Sequence, residues 1–254
     1  MLYKELEILN IEFIDLYTQH KQMIESDSVI LTSLYLEKLG YLQLELLKKQ
    51  TESSRLIMKI KLIQAAYNRS EFPDLIAIEK ILNDRLENYY SQIQSQSAML
   101  DESKKILSSL LSEEETLKLK EIFRVLCKKL HPDLHPLQSE DEKDLFIKVK
   151  AAYDLQRISD LQSILLYLDN FDNEKLIELS IDEKANRIEF LKKNIDSLNG
   201  KIEQLKNSFP FNVEELIYNE EQISFKQEEL KNQIKTFDEE IEKSTNTLKQ
   251  MIDE

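Results

Sequence analysis

Apolar residues recur along this chain at three- and four-residue steps almost from end to end, the spacing that gathers them on one face of an α-helix. Over 2–25 the stripe is Leu6, Leu9, Phe13 and Leu16, and Ser26-Asp27-Ser28 offers an N-cap for the next helix. From 29 to 69 a longer stripe of Leu34, Leu39, Leu42, Leu46, Ile57, Ile60, Ile63 and Tyr67 is broken around Gly40. Glu71-Phe72-Pro73-Asp74 reads as a turn with Asp74 as the next cap, and the pattern restarts over 76–96. The 29–69 and 76–96 stretches are predicted to fold back on one another as an antiparallel hairpin.

Two shorter helices come next. Thr116–Leu130 carries Leu119, Ile122, Phe123, Leu126 and Leu130 on one face, and Glu142–Leu155 carries Phe146, Val149, Ala152 and Tyr153. These two faces are predicted to pack antiparallel, with Cys127 and Ala152 as the small residues where the helices approach. Toward the C-terminus Ile181, Ala185, Ile188, Leu191, Ile195, Leu198, Ile202 and Leu205 alternate steps of three and four, as a and d positions of a heptad do. Ser208-Phe209-Pro210-Phe211-Asn212 interrupts the run, and Leu230, Ile234, Phe237, Ile241, Leu248 and Ile252 resume it. Two such helices joined at a proline turn suggest an antiparallel coiled-coil hairpin within the chain, with pairing between chains, through an exposed seam, as the alternative. The expected architecture is all-α, with a helical region over 1–111, a short helical hairpin within 112–170 and a coiled-coil hairpin over 171–254.

Composition supports long helices. In 254 residues there are only 2 Gly and 4 Pro, so few positions break a helix, and 32% of residues are charged. The single cysteine, Cys127, allows no internal disulfide and suits a reducing, cytoplasmic setting. The opening stretch LYKELEILNIEFIDLY carries acids throughout and does not read as a signal peptide. No segment approaches the roughly 18 uninterrupted apolar residues that a bilayer crossing needs. A net charge of −14 disfavours nucleic acid, because phosphate contacts need clustered cations. The amphipathic helices are acid-rich where membrane-surface binding calls for a basic face.

Against that acidic background one helix is basic. Lys118, Lys120, Arg124, Lys128 and Lys129 fill the polar face of 116–130, and the helix ends at His131-Pro132-Asp133. Pro132 lacks an amide hydrogen and disfavours helical geometry at His131, so the chain must leave the helix there. Basic helix, His-Pro-Asp loop and returning helix together resemble the J-domain of DnaJ-type co-chaperones. The likeness covers about 117–155, through FRVLCKKL before the tripeptide, Leu134-His135-Pro136 after it, and Phe146, Val149, Ala152 and Tyr153 on the second helix. Helical arms on both sides of an internal J-like segment are also a layout found among bacterial proteins, and KIKLIQAAYNR and NSFPFN are similar to segments of that group.

The resemblance implies a partner and a site. In the family the His-Pro-Asp loop and the basic helix engage a DnaK-type heat-shock chaperone and stimulate its ATP hydrolysis. Carried over, that role falls on His131, Pro132 and Asp133, with Arg124, Lys128 and Lys129 as steering and docking charges. The chain would be an activator rather than an enzyme, its loop held outward and its arms binding a client. Three features depart from the family. Leu134 stands where Lys or Arg is usual, 98–111 is the only candidate for the family's first helix, and 157–168 is apolar where a basic motif often comes next. The alternative is a helical scaffold or adaptor whose J-like hairpin no longer activates an ATPase. Cys127, His131, Asp133 and His135 have spacings that could suggest a metal, but Pro132 separates His135 from the helix face, so neither metal nor cofactor is expected. The isolated glycines, Gly40 and Gly200, form no phosphate loop, and His20 is expected on a solvated surface.

Overall fold

The computed structural model describes residues 2–169 and 181–253, and among them every regular element is helical. In chain order these are α1 (Leu2–Gln22), α2 (Ser28–Tyr35), α3 (Tyr41–Asn68), α4 (Leu75–Ser108), α5 (Glu113–Leu130), α6 (Glu140–Asp154), α7 (Ile158–Asp169), α8 (Ile181–Lys206), α9 (Glu214–Tyr218) and α10 (Glu220–Asp253). The first ten residues of the expected coiled-coil region, 171–180, lie outside the described residues. Single π-helical turns at Met23–Asp27 and Leu36–Gly40 join α1 to α2 and α2 to α3. The predicted cap at 26–28 therefore does not form. Ser28 stays helical and its hydroxyl donates to the Ile24 carbonyl at 2.7 Å, while Gln22 holds both oxygens of Asp27. A hydroxyl that bonds back to the preceding turn is not placed to accept from the amides ahead, so it does not act as an N-cap.

The chain divides into two compact units, 1–29 with 109–212 and 30–108 with 213–254. This differs from three consecutive regions, because each unit combines segments distant in sequence. In the second unit α3 and α4 form the predicted antiparallel hairpin. Asp74 caps α4 by accepting from the amides of Ile76 and Ala77 at 3.0 Å, and Arg55 and Lys59 both reach Glu79 across the pair. Ile63, Ile78 and Leu82 are buried between the helices, with Leu248 and Met251 of α10 packed against them. α10 runs parallel to α3, since Lys49 meets Asp238, Ser53 meets Glu240 and Tyr67 donates to the Met251 carbonyl.

In the first unit α8 lies along α1. Leu9 and Phe13 bury against Ile188, Leu191, Ile195 and Leu198. Lys192 pairs with Glu5 at 2.8 Å, and Lys201 acts electrostatically on His20, so these two helices also run parallel. The expected antiparallel hairpin between 181–205 and 230–252 is thus corrected: α8 is covered by α1 and α10 by α3. An apolar stripe demands cover without naming its partner, and the N-terminal helices carry stripes of the same period. His20 is half-buried beside this pair, and burial pushes its imidazole below the usual range.

The J-like segment forms the other half of the first unit. α5 and α6 pack antiparallel, with Phe123 stacked on Tyr153 at 4.0 Å and Cys127, Val149 and Leu126 fully enclosed. Leu161 of α7 completes this core. Residues 98–108 of the expected first J-helix instead end α4, in the other unit, where Leu100 and Ser103 are buried. Further apolar cover on the α5–α6 core comes from α7 and from Tyr17 of α1.

Candidate functional site

The loop between α5 and α6 is held from both ends. Ser112 and Ser139 cap the two helices, each accepting from the amide three residues on, while Glu115 and Glu142 return the contact. These Ser-x-x-Glu boxes, which sequence reasoning did not use, start the two helices at Glu113 and Glu140, two or three residues before the predicted 116 and 142. As Pro132 requires, His131 leaves the helix with φ −69° and ψ 127°, although its amide still donates to the Cys127 carbonyl. The amides of Leu134 and His135 then both donate to the His131 carbonyl, which closes the turn. Gln138 donates its side-chain amide to the Leu130 carbonyl at 2.6 Å, and His135 donates from Nε2 to the Lys128 carbonyl at 2.8 Å.

His131 is not held outward. Its side chain lies inside the unit at 7% exposure, within a box of three aromatic rings. Tyr17 and Phe13 of α1 approach it edge-on at 4.4 and 5.1 Å, and Phe146 of α6 at 5.1 Å. The Asp133 amide donates to His131 Nδ1 at 3.1 Å, which places the proton of the neutral ring on Nε2. Burial, with the neighbouring Lys150, His135 and Arg187 acting in the same direction, lowers this imidazole to about 4. At neutral pH the ring is uncharged and serves as a packed, hydrogen-bonded wedge.

The other predicted residues lie around that wedge. Pro132 and Lys128 are exposed, and Lys129 is half-buried. Arg124 is exposed on α5 and ion-paired with Asp15 of α1. Asp133 is half-buried; its Oδ2 accepts from Asn194 of α8 at 3.3 Å, and its charge acts on Arg187. Leu134, the departure from the family pattern, packs against the α1–α8 cluster. A Lys or Arg there would bring a charge to an apolar seam, which is a physical reason for leucine at this place.

Five residues that sequence reasoning did not assign therefore belong to the site: Phe13, Asp15 and Tyr17 on α1, and Arg187 and Asn194 on α8. They lie more than fifty residues from the tripeptide on either side. The only local signal was an aromatic pair at Phe13 and Tyr17, one turn apart on the same helix face. Among the described residues no three His, Cys, Asp or Glu side chains converge in metal-binding geometry, and no helix is long and apolar enough to cross a membrane. Cys127 is enclosed in the core, where burial pushes its thiol far above the ordinary value. No family model matches the chain, and no curated protein or solved structure matches it either.

Proposed function

We propose that the protein is a divergent J-domain co-chaperone that recruits a DnaK-type chaperone and stimulates its ATP hydrolysis. The observation that carries this reading is His131-Pro132-Asp133 at the turn of an antiparallel α5–α6 hairpin, with Lys118, Arg124 and Lys128 exposed on α5. The basic face would steer an acidic partner, and the loop would engage it. Bond-breaking then belongs to the ATPase, and this chain supplies no catalytic group. A client held by the long helices and a cytoplasmic setting complete the reading.

A second reading is favoured by one specific observation, the burial of His131 with its Nδ1 satisfied inside the chain. In it the loop is a packing node of a helical scaffold. Single-turnover ATP hydrolysis by the cognate chaperone, titrated with this protein to saturation, separates the two. The co-chaperone reading expects stimulation that His131→Gln removes. A folded protein that gives none at saturation leaves the scaffold.

A further inference from the structure

The α1–α8 pair reaches the recognition elements of the J-like hairpin at several separate points. Phe13 and Tyr17 close over His131, Asn194 holds Asp133, Asp15 pairs with Arg124, and Leu134 is seated on the α1–α8 seam. We propose that α1 and α8 form an intramolecular cover over the His-Pro-Asp loop, closed in this structure, whose displacement admits the chaperone. The proposal rests on the co-chaperone reading and adds its regulation.

The cover is built to move without dismantling either partner. α1 and α8 bury Leu9, Phe13, Ile188, Leu191, Ile195 and Leu198 between themselves, so their own seam survives displacement. α5, α6 and α7 likewise keep a shared core around Phe123, Leu126, Val149 and Leu161. What joins the two halves is the aromatic contact on His131, the Leu134 and Asn194–Asp133 contacts, and two ion pairs at the rim: Asp15 with Arg124, both well exposed, and Lys21 with Asp154, where Lys21 is largely covered. Exposed ion pairs hold weakly and yield to competing charge. Asp15 also occupies Arg124 with the charge that an acidic chaperone surface would bring, so cover and partner compete for one cation. A closed cover lowers apparent affinity by the fraction of molecules that are open, and leaves the maximal effect at saturation unchanged.

The test uses the full chain with the cognate DnaK-type chaperone. Carbethoxylation of histidines by diethyl pyrocarbonate, read by mass spectrometry, reports access to His131 against the exposed His135. In the wild type His131 is expected to react at least about tenfold more slowly than His135, since reaction requires opening. Tyr17→Ala should bring the two rates together. Asp15→Lys, at an exposed carboxylate where folding is not at stake, should move His131 in the same direction. Both variants should reach half-maximal ATPase stimulation at a concentration roughly tenfold lower, as removal of an unfavourable opening step demands. Adding His131→Gln should abolish that gain. Equal reactivity of His131 and His135 in the wild type would overturn the cover itself. Faster His131 reaction with an unchanged half-maximal concentration would overturn its inhibitory role. Exposure of His131 in the variants without ATPase stimulation by any form would instead overturn the co-chaperone reading and leave the cover standing.

Discussion

Acidification should destabilise the first unit through His131, by an amount the burial of that ring makes calculable. Its imidazole is held at about 4 against an ordinary 6.5 by burial and by Lys150, His135 and Arg187. The other groups around the box are the Tyr17 phenol, whose ionisation burial suppresses, and the Asp133 carboxylate, which has Asn194 as a partner. Because the folded value is depressed, the unfolded chain binds the extra proton first. Stability is complete above about 6.5, falls as the pH drops, and stops falling through this group near 4. The whole difference corresponds to about 3 kcal/mol at roughly 1.4 kcal/mol per unit, and about 2 kcal/mol of it is lost between pH 7 and 5. Urea denaturation of wild type and His131→Gln at a series of pH values from 7.5 to 4.5 isolates the effect. Carboxylates such as Glu79, held low by Lys59 and Arg55, titrate alike in both proteins and cancel in the difference. The wild type should lose stability more steeply than the variant over that window, and the His131 ring proton resonances should titrate near 4. Parallel stability curves, with a ring that titrates near 6.5, would refute both the aromatic box and the reasoning from it.

Two glycines and the cysteine give further expected outcomes. A Cβ at Gly40 would stand 2.8 Å from a Leu36 methyl and 3.1 Å from a Leu100 methyl, whereas at Gly200 it would meet nothing within 4 Å. Gly40→Ala should therefore cost about 1 kcal/mol net in thermal or urea denaturation, overpacking outweighing the helix-propensity gain, while Gly200→Ala should add about 0.5–1 kcal/mol. Cys127 is enclosed and its thiol pushed upward by burial, so its reaction with a disulfide reagent at pH 8 should be slow. Urea should raise that rate in step with unfolding of the α5–α6 core.

How much of this was legible in advance depends on the range of the forces involved. The periodic stripes placed the helices, because a face repeating every 3.6 residues is a local property. The same locality made the α3–α4 turn readable from Pro73 and Asp74, and the end of α5 readable from Pro132. The α5–α6 pairing also followed from local information, since the short connection over 131–139 leaves two complementary apolar faces little choice but each other.

Partner choice over long distances was different. The stripe over 181–205 showed that α8 must be covered, yet nothing in it distinguished an antiparallel neighbour beyond Pro210 from α1 at the far end of the chain. The tertiary structure decided that, and with it the setting of His131. A histidine in a loop after a proline-terminated helix reads as exposed. Here Phe13 and Tyr17, more than a hundred residues earlier, convert it into a buried neutral ring. Sequence by itself determined the helices, the tripeptide and the basic face beside it, because each depends on neighbours within a few turns. Burial of the tripeptide depends on which distant apolar face lies above it, and only the folded chain decides that.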